Sequence, residues 1–222
     1  MHGACVKDGE WWWHPTAETL AEQGVASVAP ELPSCVEPGA GLAEDVAAVK
    51  AAITASEEPT VVIGHSYGGI VMSEAAAGVG SVRHLLFISS YLAEPGQSLS
   101  SFGPEEPAPF LEIDPEGGTF TVKPESLAGT FLQDCSAEIQ REAVKKTARQ
   151  NLAVIEAPVQ AAAWHDVPST YLVCAQDLGT PATAQREFAG RAGTVVELEA
   201  GHHPFLSQPA AMRDLLLTLP LS

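Results

Sequence analysis

The chain has 222 residues, of which 45% are hydrophobic and 18% charged, a balance that fits one globular domain and excludes a disordered chain. Lys plus Arg is 11 and Asp plus Glu is 28, so the formal net charge is -17, a surface that repels phosphate backbones and excludes nucleic acid as an expected partner. No apolar run reaches the roughly 18 residues of a membrane span, so no membrane partner is expected, and the opening MHGACVKDGE lacks the apolar core of a signal peptide.

Cys5, Cys35, Cys135 and Cys174 form neither a CxxC pair nor a metal-ligand spacing. A reduced cytoplasmic protein with no metal and no cofactor is the expectation.

In chain order, Thr16 to Gln23 follows Pro15 and stops before Gly24, which predicts a first helix. Val25 to Ala29 then reads as a short buried strand. Gly41 to Ser56 places Leu42, Val46, Val49 and Ile53 at spacings of three and four, as an amphipathic helix does. Thr60 to Ile63 is the next apolar strand, and Ser66 to Ala77 is a helix of small residues suited to close packing on a sheet. His84 to Ser89, Thr170 to Cys174 and Thr194 to Leu198 complete the strands, with helices at Pro181 to Gly190 and Pro209 to Leu217. Strand and helix alternate, so the expected class is α/β: a mostly parallel sheet flanked by helices, in a single domain spanning 1–222. Glu94 to Ala163 breaks the rhythm with prolines, glycines and a polar helical stretch at Ala137 to Arg149. It is read as a cap inserted over about residues 95–163, because long insertions in compact domains often serve as lids.

Gly64-His65-Ser66-Tyr67-Gly68-Gly69 directly follows the Thr60 to Ile63 strand. It matches G-x-S-x-G in the context that motif requires, a strand turning sharply into a helix, and presents Ser66 as a nucleophile at the helix N-terminus. Serine needs a base. With such an elbow the acid and then the histidine follow the serine in the chain. Of the histidines after Ser66, His84 opens a strand and His165 precedes the acid candidate, which leaves His202 and His203. His202, directly after Gly201 at a strand's C-terminal end, is the preferred base, and His203 is assigned to the pocket or solvent. Asp177 follows the Tyr171 to Gln176 run and precedes Pro181, whereas Asp166 lies at the opposite sheet edge and Asp214 on the last helix, so Asp177 is the acid. An oxyanion needs two preorganised N–H donors, expected from the backbone of Tyr67 and of Ala4 in the early His2-Gly3-Ala4-Cys5 loop. Trp11-Trp12-Trp13 is read as packing an early helix onto the sheet, with Trp164 and Phe131 as candidate pocket residues.

With these residues in place the chain resembles a group of α/β-hydrolases: bacterial esterases related to pyrethroid hydrolases, plant methylesterases and hydroxynitrile lyases. The resemblance rests on His2-Gly3-Ala4 with its Trp-rich follow-on, Val28-Ala29-Pro30-Glu31-Leu32-Pro33, the Ser66 elbow, Thr170 to Cys174 before Asp177, and Gly201-His202-His203-Pro204-Phe205-Leu206. It implies hydrolysis of a small-molecule ester or lactone through Ser66, Asp177 and His202, without a cofactor and under a mostly helical cap. A non-catalytic binder on the same fold is the alternative, and a homodimer stays open. The lyases of this group carry Lys where this chain has His203, which argues against cyanide release. Members of the group also carry an apolar strand before the His-Gly-Ala loop, which this sequence lacks. Either a truncated start or another anchor for the loop is therefore expected.

Overall fold

The computed structural model describes residues 1–103 and 106–220; Pro104 and Glu105 of the expected cap, and Leu221 and Ser222 of the expected domain, lie outside the described residues. The first helix is α1 (Gly9–Ala21), and it begins well before Pro15. Asp8 accepts from the Trp11 amide and caps it. Pro15 has no N–H to offer the Trp11 carbonyl four residues back, and that carbonyl accepts instead from His14 Nδ1 at 2.5 Å. The buried Trp12, Trp13, Thr16 and Leu20 fix the helix against the rest of the molecule.

After α1 the chain passes through residues 25–32 in extended form, but Val25 to Ala29 pairs with no strand and Val28 is 79% exposed. This corrects the expected strand. An apolar β-branched run becomes a strand only where a neighbour supplies ladder partners, and none lies beside this one. α2 (Leu42–Thr54) follows, buried through Leu42, Asp45, Val49 and Ile53.

The main sheet begins with β1 (Thr60–His65), which feeds α3 (Gly68–Ala75), and continues with β2 (Val82–Ile88). Between β2 and β6 lies the segment expected as a cap, called the cap below, and it is not purely helical. It contains a hairpin of β3 (Leu111–Asp114) and β4 (Thr119–Val122), extended by β5 (Gln150–Asn151) into a three-stranded sheet of its own. The hairpin has a local cause: Leu111-Glu-Ile-Asp and Thr119-Phe-Thr-Val are β-prone, and Gly118 takes φ 63° in the turn between them. Helices α4 (Pro124–Ser126), α5 (Ala137–Lys145) and α6 (Ala153–Glu156) make up its helical part. Ser136 caps α5, accepting from the Ile139 amide.

The chain returns to the main sheet in β6 (Ser169–Cys174), α7 (Ala182–Ala189) and β7 (Thr194–Leu198), then ends in α8 (Pro204–Ser207) and α9 (Pro209–Thr218). The sheet runs β1-β2-β6-β7, all parallel. Its two inner strands are sealed: Leu85 through Ile88 and Tyr171 through Cys174 are each 0% exposed. Full burial of each such side chain contributes about 1.5–3 kcal/mol. β7, at one edge, is half open, with Val195 50% exposed. β1 is the other edge, and Met1 lies along its C-terminal end, where the Met1 amine donates to Ile63 O (2.7 Å) and His65 N donates to Met1 O (3.4 Å). No strand precedes the His2-Gly3-Ala4 loop among the described residues.

The registers Gly64 with Phe87, Ile88 with Leu172 and Cys174 with Leu198 align the strands so that their C-terminal ends share one edge. Ser66, Ser89, Asp177 and His202 follow β1, β2, β6 and β7 at that edge, where ligands gather in open parallel sheets.

Candidate active site

Ser66 stands at φ 50°, in the left-handed region that a non-glycine residue occupies only under constraint. Its amide continues the sheet ladder to Ile88 O (3.0 Å), and its carbonyl accepts from Ser90 Oγ (2.5 Å). The turn works because two glycines leave room. A Cβ on Gly64 would lie 2.7 Å from the Gly69 Cα, and one on Gly69 would overlap Ser90 Oγ. The result is a serine half-exposed at the start of α3.

His202 and Asp177 meet in a bond of 2.6 Å from Nδ1 to Oδ2. Both are nearly sealed, His202 at 3% and Asp177 at 4% exposure. With Nδ1 committed to the carboxylate, Nε2 is left as the acceptor nitrogen. The acid is held from several sides. Its Oδ1 accepts from the amides of Gly179 (2.8 Å) and Thr180 (3.0 Å), and its Oδ2 accepts from Gln185 Nε2 (3.0 Å) and from the Ser89 hydroxyl. Burial pushes the Asp177 carboxyl up, but the His202 charge and the bonds from His202, Ser89 and Thr180 outweigh it, so the group titrates below its ordinary value.

Ser89 and Gln185 went unread in the sequence, yet both are fully buried and touch the acid. Ser89 is itself at φ 43° and also lies 3.2 Å from His202 Nδ1. Gln185 clamps the acid loop to β6: its Oε1 accepts from Cys174 N (2.9 Å), and its Nε2 also donates to Thr180 O (2.6 Å). Only its place on α7, one turn behind the acid loop, hinted at this, and a glutamine on a helix carries no such message alone.

The cap ties down the same two loops. Asp134 Oδ2 accepts from Gly201 N (2.7 Å), just before His202, and Gln133 Nε2 donates to Gln176 O (2.7 Å), just before Asp177. Phe131, at the end of a π-helical turn over Leu127–Phe131, sets its ring edge-on to His202 at 5.1 Å. That ring also fills the space beside Gly179, where a side chain would collide with it.

The other expected residues are placed as follows. His203 is 6% exposed, donates from Nδ1 to Phe131 O (3.0 Å) and lies against Trp12 at 5.1 Å, so it is packed inside the protein and does not face solvent. Burial, then the charge of His202, pushes it down to about 3. His65 is likewise sealed, with Nε2 bonded to His202 O (2.9 Å), and burial holds it well below its ordinary value. Trp164 donates from Nε1 to Ala93 O (3.1 Å) and stacks edge-on with His165 at 4.3 Å. It is half-buried and also packs against the main hydrophobic core. Trp13 stacks on Phe205 at 4.0 Å, which agrees with a packing role for the tryptophan run. The amides of Ala4 and Tyr67 donate to no protein acceptor among the described residues. Among those residues no three His, Cys, Asp or Glu side chains converge as a metal site, all four cysteines are free and buried, and no helix is long and apolar enough to cross a membrane.

Comparison with known proteins agrees with this architecture. The model of the alpha/beta hydrolase family matches residues 1–215. The alpha/beta hydrolase nvfD of Aspergillus novofumigatus is 30% identical over 206 residues, covering 86% of this chain and 82% of that protein. Among solved structures, a pyrethroid hydrolase from Sphingobium faniae superposes with a TM-score of 0.84 at 21% identity, covering 97% of this chain and 93% of that one. Polyneuridine aldehyde esterase superposes with a TM-score of 0.82 at 22% identity, covering 97% and 95%, and a methylesterase from Arabidopsis with 0.78 at 18% identity, covering 98% and 95%. At these identities the solved structures speak for the fold alone. The match of the family model over nearly the whole chain, on a parallel sheet with a serine elbow at its edge, makes this protein a member of the alpha/beta hydrolase family.

Proposed function

We propose that the protein is a serine hydrolase that cleaves a carboxylic ester of a small molecule through an acyl-enzyme, with Ser66 as nucleophile, His202 as base and Asp177 as its orienting acid. The observation that carries the reading is the 2.6 Å bond from His202 Nδ1 to Asp177 Oδ2, at the same sheet edge as a serine constrained at φ 50°. That bond selects the tautomer whose Nε2 is free to take a proton and stabilises the imidazolium once it has done so. The esterase names of several structural relatives point to the same bond class.

In this mechanism Ser66 Oγ attacks the ester carbonyl as its proton passes to His202 Nε2. The tetrahedral oxyanion is met by the Ala4 and Tyr67 amides, which lack other acceptors among the described residues. The alcohol departs with the proton from His202, and water repeats the sequence to release the acid and free Ser66. Phe131, edge-on to His202, supplies an apolar wall. A lactone would pass through the same steps, its alcohol staying attached to the acid.

The test is hydrolysis of a short aryl ester together with labelling by a fluorophosphonate. The wild-type protein is expected to hydrolyse the ester and to label once. Ser66→Ala is expected to lose label and turnover, by a factor on the order of 10⁴ or more. A Ser66→Ala variant with wild-type turnover would sink the assignment.

A further inference from the structure

Met1 pairs with the end of β1, but the residues that follow it pair with no strand of the main sheet among the described residues. This N-terminal loop is held by the cap and by a buried chain of hydrogen bonds. Cys5, next to Ala4, is at φ 60°, a left-handed conformation that something must enforce. Cys5 O accepts from Ala148 N (2.8 Å), Val6 bridges Thr147, and Lys7 N donates to Lys146 O (2.9 Å), so the loop is laced to the cap segment leading into β5. The Lys146 ammonium pairs with Asp8 at the end of the same stretch.

Inside this seam lies the polar chain. Cys5 N donates to Gln150 Oε1 (3.0 Å), and Gln150 Nε2 donates to Ser34 Oγ (2.9 Å). Ser34 donates from Oγ (2.6 Å) and from its amide (2.8 Å) to the two carboxylate oxygens of Asp45. Asp45 Oδ2 also accepts from the Tyr67 hydroxyl (2.7 Å). No side chain in this set is more than 1% exposed. From Cys5 on one side and Tyr67 on the other, the donors converge on Asp45, a polarity that strengthens each bond in a low-dielectric interior. One end of the chain grips the peptide that follows Ala4. The other grips the side chain of Tyr67.

We infer that Gln150, Ser34 and Asp45 are positioning residues for the oxyanion hole, a buried strut that sets the distance between the Ala4 and Tyr67 amides and lets the cap strand β5 take part in fixing it. The inference rests on the serine-hydrolase reading above. It explains how the loop finds a fixed place beyond Met1, the residue whose backbone pairs with β1. It also explains why a carboxyl group, Asp45, sits at 0% exposure on the inner face of α2, where an apolar residue would cost less to bury. Donors shifted by a few tenths of an ångström still bind a planar ester, but they meet the tetrahedral oxyanion poorly. The strut therefore acts on the transition state more than on the bound substrate.

The experiment uses Ser34→Ala, which cuts the chain in the middle, and Tyr67→Phe, which removes one hydroxyl and keeps the ring and the backbone amide. For each variant, kcat and KM on the aryl ester, affinity for a trifluoromethyl ketone that forms a tetrahedral adduct, and the melting temperature are measured. The expected result is a kcat lower by about tenfold, short of the 10²–10³ lost with a whole donor. KM should stay within about twofold, and ketone affinity should fall in step with kcat. Wild-type kcat and ketone affinity in both variants would overturn the inference, and so would a raised KM with kcat intact. Should Ser34→Ala fail to fold, Tyr67→Phe decides alone. The serine-hydrolase reading fails separately, in a wild-type protein that neither labels with a fluorophosphonate nor turns over the ester.

Discussion

Acidification from about pH 7.5 to about pH 5 is expected to strip this protein of much of its stability, through histidines that fold neutral. His203 is held at about 3 and His2 at about 4, chiefly by burial, and burial likewise holds His65 well below its ordinary value. Unfolded, each titrates near 6.5. The folded state binds fewer protons than the unfolded state in this window, so stability is complete above the unfolded value and drains away as pH falls toward the folded ones. At about 1.36 kcal/mol per pH unit per proton, His203 and His2 each contribute a loss of about 2 kcal/mol by pH 5. His203 and His2 together give about 4 kcal/mol, and His65 adds to the loss in the same direction, against a typical domain stability of about 5–15 kcal/mol. Asp177 acts at lower pH, because its depressed carboxyl keeps its contribution until pH falls below the ordinary carboxylate range. The assay is urea unfolding followed by tryptophan fluorescence at several pH values. With a slope of about 2–3 kcal/mol per molar urea, the midpoint should fall by about 2 M. His203→Gln should shrink that shift by up to about half. A midpoint that stays put between the two pH values would refute the reasoning, since these rings would then not be buried neutral.

Two further outcomes follow from the site's supports. Gln185→Leu removes the donor to Asp177 and Thr180 and orphans the Cys174 amide; a loss of about 3 kcal/mol is expected by denaturant titration, with turnover reduced in the fraction that remains folded. Gly69→Ala drives a methyl group into Ser90 Oγ and to within 3.0 Å of the Phe87 ring. It should cost about 1–3 kcal/mol in thermal unfolding and slow labelling of Ser66, because Ser90 also holds the Ser66 carbonyl.

The parallel sheet was legible because its strands announce themselves. Leu85 through Ile88 and Tyr171 through Cys174 are continuous apolar runs, and the structure seals them on both faces. Val25 to Ala29 was read in the same way and is no strand, because strand formation requires a neighbour as well as a residue type. The cap hairpin was missed for the opposite reason: its four-residue strands are short and lie in a segment whose prolines and glycines drew the eye to loops. Within the site, Ser66 could be read from its glycines, and Asp177 and His202 from their places after apolar runs. Ser89, Gln133 and Asp134 could not, since each meets the Asp177 or His202 loop across a long stretch of chain, and Gln185, only eight residues from Asp177, could not because a helical glutamine does not show which way it reaches.

By itself the sequence determined the alternation of strands and helices, the elbow at Ser66 and the order of the three candidate residues, because these depend on side-chain periodicity and on glycines at adjacent positions. Only the tertiary structure decided that His203 is sealed against Trp12, that the acid carries five hydrogen bonds from protein donors, and that the Ala4 loop hangs from the cap. Those facts arise from contacts between residues far apart in the chain, such as Cys5 with Gln150. No local pattern encodes such a contact, because its geometry exists only once the sheet has brought the two segments together.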